Sequence, residues 1–134
     1  MPYRMSDIVI VDDNTTILDL FAEVLSEHGY RVRTACDGYE ALAAIRDRVP
    51  DILISDLNMP RMSGFELLSI VRCHFPVIAV IAMSAEYSGA AVPQGVAADA
   101  FHAKGSSGID RLFEILLTIE DQEVRQSLRV GVCA

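Results

Sequence analysis

The sequence predicts an α/β domain on a doubly wound, five-stranded parallel sheet. Three observations lead there. Apolar runs of strand length recur along the chain, and they alternate with stretches of helical periodicity. Three of the runs are nearly continuous rather than alternating, as expected for strands buried on both faces of a parallel sheet. Connections between parallel strands are then right-handed.

The elements follow in order. "DIVIV" (7–11), "RVRTA" (31–35), "DILIS" (51–55), "VIAVIAM" (77–83) and "AFHA" (100–103) read as the five strands. Ile17, Leu18, Phe21, Val24 and Leu25 recur at helical spacing, with Gly29 as the stop. Tyr39, Leu42 and Ile45 mark a second helix ended by Pro50. Phe65, Leu68 and Val71 mark a third that stops before Pro76. Ile109, Leu112, Phe113, Leu116 and Leu117 mark a last helix, with "EDQEVRQSL" as its continuation. The remaining helix belongs in 86–99, but Gly89, Pro93 and Gly95 are poor helix-interior residues. A short, displaced or partly irregular helix is expected there. The final "RVGVCA" is expected to be loose.

Composition narrows the function classes. With 134 residues, one domain with a single real core is expected. The net charge of −8 and the lack of a Lys/Arg cluster argue against nucleic acid as a direct partner. The longest apolar run is far too short to span a bilayer, and "MPYRMSD" lacks the features of a signal peptide, so a cytoplasmic protein is expected. Cys36, Cys73 and Cys133 are widely spaced with no C-x-x-C pair, which predicts reduced, mostly buried thiols.

The polar residues carry the functional signal. Asp12 and Asp13 follow the first strand, Asp56 the third, Ser84 the fourth and Lys104 the fifth. All fall at carboxyl ends of strands, where open α/β sheets bind ligands. The second strand supplies nothing comparable, as suits a sheet edge. The first and third strands are then neighbours at the switch point, bringing Asp12, Asp13 and Asp56 together. Three crowded carboxylates repel and call for a cation. Mg²⁺ suits a site with few protein carboxylates and several waters. A carboxylate is also a nucleophile able to form an acyl phosphate, and Lys104 and the Ser84 hydroxyl suit phosphoryl oxygens.

At "VDD" (11–13), "SDLNMPRMSG" (55–64), "MSA" (83–85) and "DAFHAKG" (99–105), the sequence resembles the receiver domains of two-component response regulators, single-domain chemotaxis regulators among them. The resemblance covers roughly residues 7–120. It implies the flavodoxin-like strand order 2-1-3-4-5, with a tail at 1–6, a receiver at 7–124 and a helical extension or tail at 125–134. It further implies that Asp56 accepts a phosphoryl group from a sensor histidine kinase or histidine phosphotransfer protein. Mg²⁺ would sit on Asp12, Asp13, Asp56 and the backbone carbonyl of Asn58. Ser84 and Lys104 would bind phosphoryl oxygens, and Phe101 would be the switch aromatic that follows Ser84. Asn58 and Glu86 occupy the family's variable tuning positions. Pro60 and Gly64 match the loop after the phosphoacceptor, where Gly64 is expected for a backbone shape other residues avoid. Output would pass to a protein target through the face of fourth helix, fifth strand and last helix. A homodimer contact, and a place within a longer regulator, remain open. No catalysis is implied beyond the domain's own aspartyl phosphorylation and dephosphorylation.

Two features depart from the resemblance. Gly105 stands where receivers usually have proline, so a cis peptide is not expected after Lys104. The segment 86–99 is about two residues short, which points to a remodelled output face. Plainer roles stand beside the functional ones. Asp13 is a candidate helix N-cap and Ser84 a candidate helix start. Lys104 is a candidate surface lysine and Phe101 plain core. His102 is expected to be satisfied or half-exposed, and His28 and His74 to make cap and dipole contacts at helix ends. Two other classes compete. A haloacid-dehalogenase-type phosphatase would need D-x-D after the first strand and a cap domain, whereas the chain has D-D-N. A pseudo-receiver scaffold would use the fold without phosphorylation.

Overall fold

A computed structural model describes residues 6–85, 96–104 and 109–128, with backbone only for 121–128. Five strands form one parallel sheet: β1 (Asp7–Val11), β2 (Arg31–Ala35), β3 (Ile52–Asp56), β4 (Ala79–Ser84) and β5 (Ala100–Ala103). The order is β2-β1-β3-β4-β5, so β1 and β3 are neighbours and the chain reverses direction across the sheet there. Among the described residues four helices cover the faces: α1 (Thr15–Glu27), α2 (Gly38–Asp47), α3 (Gly64–His74) and α4 (Ile109–Leu128).

Strand pleating sorts the core into two layers. Val9, Val11, Leu53, Val80, Ala82 and Phe101 point toward α2 and α3, where Leu42, Ile45, Leu68 and Val71 meet them. Ile8, Ile10, Ile52, Ile54, Ile81 and Met83 point the other way, onto Leu18, Phe21 and Leu25 of α1 and Leu112, Ile115 and Leu116 of α4. Ile10 and Ile54 have no exposed surface, and truncating either to Ala would cost about 2–5 kcal/mol.

Local chemistry sets the helix ends. Asn14, not Asp13, is the N-cap of α1, its side chain accepting from the N–H groups of Thr16 and Ile17. At the other end His28 is the C-cap, and Gly29 takes φ +92°. The N–H of Tyr30 returns to the Leu25 carbonyl and that of Gly29 to Ser26, a Schellman closure that requires this left-handed residue. His28 also places Nδ1 2.9 Å from the Val24 carbonyl and stacks on Phe113 of α4, so it is an end contact as expected. α3 opens with a capping box between Ser63 and Glu66. On α4, Glu120 accepts from Ser6 and Tyr30 hydroxyls, tying the helix to the start of the sheet. Burial and this carboxylate push the Tyr30 phenol up to about 12.

Several expectations change. β4 begins at Ala79, and Val77 is exposed beyond it, because apolar character alone does not mark where pairing with β3 starts. Cys36 and Cys73 are free but exposed rather than buried. His102 is buried with neither ring nitrogen hydrogen-bonded, rather than satisfied or half-exposed. It packs edge-on to Phe21, and its pKa is pushed down by burial first, then by Arg111 and Lys104. The irregular helix expected in 86–99 falls mainly outside the described residues; 96–98 carry no regular secondary structure. Cys133, Gly105 and the looseness expected of 129–134 lie outside them as well. No described helix is long and apolar enough to cross a membrane.

Candidate functional site

The carboxyl edge of the sheet gathers the polar residues that the sequence singles out. Val11 pairs with Ser55, so Asp12, just past β1, stands level with Asp56 at the end of β3. Oxygens of Asp12, Asp13 and Asp56 all lie within 4.8 Å of one another. Asp12 and Asp56 are buried and Asp13 is exposed, so the cluster has two inner acids and one at its mouth.

Lys104 follows β5 and reaches back across the edge. Its Nζ donates to Asp12 Oδ2 at 2.8 Å and stands 3.7 Å from Asp56 Oδ1. Asp12 Oδ1 accepts the Asn14 N–H at 2.9 Å, so the residue that caps α1 also orients this acid. One lysine does not balance three acids. Burial, and next the Asp12 charge, push the Asp56 carboxyl up to about 6, against the pull of Lys104 and the Asn58 N–H. A buried carboxylate so disfavoured fits a divalent cation with oxygen ligands. Asp12, Asp13 and Asp56 are the side chains that could hold it, with the Asn58 carbonyl on the adjoining loop.

Ser84 is the last residue of β4 with its side chain fully buried, and a helix starting after it would fall on 86–95, outside the described residues. Its hydroxyl donates to Asn58 Oδ1 at 3.0 Å, and its carbonyl accepts the Lys104 N–H at 3.0 Å. Phe101 is buried on the α2/α3 side of the sheet, opposite His102. Glu86 lies outside the described residues.

The loop from β3 to α3 is held from both sides. A Cβ on Gly64 would overlap the Asp56 carbonyl oxygen and Leu57 Cα. Close approach to the Asp56 backbone, and not a positive φ as expected, is why glycine stands at 64: among described glycines only Gly29 has a positive φ. The left-handed residue of the loop is Arg61, at φ +67°. Such a conformation costs an L-residue about 1–2 kcal/mol. Its guanidinium pairs with Asp37, the N-cap of α2, and lies over the Tyr39 ring at 5.9 Å. The Asn58–Ser84 contact and the Arg61–Asp37 anchor join residues remote in sequence, and spacing along the chain gives no sign of them; Gly64 stands out in the sequence, but for a backbone shape and not for this close approach.

Comparisons with known proteins agree with this geometry. Residues 8–103 match the family model described as the response regulator receiver domain. The nitrogen assimilation regulatory protein NtrX of Azorhizobium caulinodans is 41% identical over 80 residues, 58% of this chain and 18% of that protein. The chain thus spans less than a fifth of that curated relative. Among solved structures, the chemotaxis response regulator CheY4 of Vibrio cholerae superposes with a TM-score of 0.76 at 31% identity, covering 87% of this chain and 99% of that one. The response regulator TrrA of Thermotoga maritima, solved with Mg(2+)-BeF, gives 0.77 at 34% identity, covering 85% and 98%.

Proposed function

We propose that this chain, which belongs to the response regulator receiver domain family, accepts a phosphoryl group on Asp56 and passes the event to a protein partner. The observation that carries the assignment is the state of Asp56. It is a buried carboxylate at a strand end, crowded by two acids, with one cation 3.7 Å away. Such a group is stored in an unfavourable charge state that a metal and an electrophile relieve together.

Asp12, Asp13 and Asp56, with the Asn58 carbonyl, would hold Mg²⁺. When bound, the ion neutralises the acids and the charge on the transferring phosphoryl oxygens. In the transfer, an Asp56 oxygen attacks phosphorus and the bond from phosphorus to the donor breaks. With a phosphohistidine donor the imidazole leaves, and the new bond is an acyl phosphate. Lys104 contributes its ammonium to a phosphoryl oxygen, since one end of its reach already lies beside Asp56. Ser84 gives its hydroxyl to another. Lys104 and Ser84 are joined through backbone, so a shift in one strand end moves the other. Phe101, buried in β5 three residues before Lys104, is the side chain proposed to follow.

The donor is proposed to be a sensor histidine kinase or phosphotransfer protein, and the setting cytoplasmic. The receiver of a longer regulator would serve equally well. The test is incubation with Mg²⁺ and acetyl phosphate, followed by intact mass. Wild type is expected to gain one hydroxylamine-labile phosphoryl group and Asp56→Asn none. Equal modification of both would sink the assignment.

A further inference from the structure

Ser84 offers one hydroxyl proton, and two acceptors have a claim on it. At rest the hydroxyl, with no exposed surface, donates to Oδ1 of Asn58 at 3.0 Å. In the function proposed above, the same proton belongs on a phosphoryl oxygen of Asp56. A hydroxyl has a single donor, so the two bonds are mutually exclusive. Lys104 faces no such choice. Its ammonium carries three donors and already sits between Asp12 at 2.8 Å and Asp56 at 3.7 Å.

Asn58 is placed to compete. It lies two residues past Asp56 on the loop leaving β3, and it is itself exposed. That loop is anchored on both sides, by Gly64 against the Asp56 backbone and by Arg61 on Asp37 and Tyr39. The loop that carries the amide is therefore anchored, and the amide meets the Ser84 hydroxyl from it.

We propose that the Asn58 side chain is a resting-state latch on Ser84, so that loading Asp56 requires the Ser84 hydroxyl to be exchanged from the amide oxygen to the phosphoryl group. This rests on the phosphoacceptor reading and adds the residue that sets its resting bias. The exchange runs toward the phosphoryl group because an anionic acceptor makes a hydrogen bond roughly twice as strong as a neutral amide. The latch subtracts its own bond from that gain, since a ligand shifts an equilibrium only by its differential affinity. One neutral hydrogen bond is worth about fivefold in an equilibrium constant.

The test is a double-mutant cycle read through a noncovalent mimic. Beryllofluoride stands in for the phosphoryl group on the Asp56 carboxylate. Its affinity is measured at saturating Mg²⁺ from the amide resonance of residue 84. The four proteins are wild type, Asn58→Leu, Ser84→Ala and the double variant, with Asn58→Ala as a second way to remove the acceptor. The latch predicts that Asn58→Leu and Asn58→Ala each tighten beryllofluoride by about fivefold, and that the gain disappears in the Ser84→Ala background. The same tightening without the Ser84 hydroxyl would mean that Asn58 acts through bulk or charge, and would overturn the latch. Unchanged or weaker binding in both Asn58 variants would overturn it too, the second by making the amide a phosphoryl ligand. If wild type binds no beryllofluoride, the phosphoacceptor reading fails and the latch falls with it. If wild type binds and the Asn58 variants gain nothing, only the latch fails.

Discussion

Replacing Asp56 with asparagine should stabilise the metal-free protein, although it destroys the proposed reactive group. In the fold the Asp56 carboxyl rises from its ordinary 3.8 to about 6, chiefly through burial and the Asp12 charge. At about 1.4 kcal/mol per pH unit, and discounted for screening by solvent at the mouth of the crevice, ionised Asp56 costs the metal-free fold on the order of 1–3 kcal/mol. The sign follows from the raised value. Between pH 4 and 6 the folded protein keeps a proton that the unfolded chain has lost, so wild-type stability falls as pH rises through about 6. The amide that replaces the carboxyl carries no charge at any pH. The Asp56→Asn variant should therefore match wild type near pH 4 and gain up to about 3 kcal/mol at pH 8. Carboxylates remote from Asp56 titrate alike in both proteins and cancel in the difference, whereas the repulsion from Asp12 is part of what the substitution removes. Mg²⁺ should erase much of the gap by stabilising wild type more than the variant. Urea unfolding with EDTA and with Mg²⁺, at pH 4 and pH 8, reads each of these differences. A gain below about 1 kcal/mol at pH 8, or a gain of equal size at pH 4, would refute the reasoning that Asp56 is held in an unfavourable charge state.

Three further outcomes follow from the same geometry. Lys104→Met should slow phosphorylation by acetyl phosphate about 100-fold or more by mass spectrometry, as loss of a charged donor to a developing anion does, and should move the Asp56 titration above about 6 by carboxyl NMR. Gly64→Ala should cost about 3 kcal/mol in urea unfolding, because its Cβ overlaps the Asp56 carbonyl and Leu57 Cα, and should depress phosphorylation of the molecules that still fold. His102→Leu should stabilise the protein by about 1–2 kcal/mol at pH 7, since both buried ring nitrogens lack partners. Because the His102 pKa is lowered in the fold, wild type loses stability as pH falls below about 6.5 and through that lowered value. The Leu variant should lose less over the same acid range.

The features legible in the sequence were those written in local pattern. The apolar runs gave the strands, and the sheet order then brought Asp12 beside Asp56 with no further information. Asp13 as helix cap was legible only as a possibility, and Asn14 holds that place because its side chain reaches two N–H groups of the first turn. Other features depend on contacts that no local residue pattern records. Gly64 is small because the Asp56 backbone passes against it, and Arg61 tolerates a left-handed backbone because Asp37 and Tyr39 hold its side chain. His102 is buried edge-on to Phe21 of α1 with neither ring nitrogen hydrogen-bonded, which no rule of composition anticipates. The exposed cysteines show the same limit, since both lie at turns or helix faces where residue type is a weak guide to burial.

The central claim is that Asp56, among three carboxylates within 4.8 Å, is the one that takes the phosphoryl group. Borohydride reduces an acyl phosphate to an alcohol, turning a phosphorylated aspartate into homoserine at its own position. Protein treated with Mg²⁺ and acetyl phosphate, then borohydride, and read by peptide sequencing in a mass spectrometer should carry homoserine at position 56 alone. Homoserine at position 12 or 13, or none in a protein that has gained a phosphoryl group, would contradict the account.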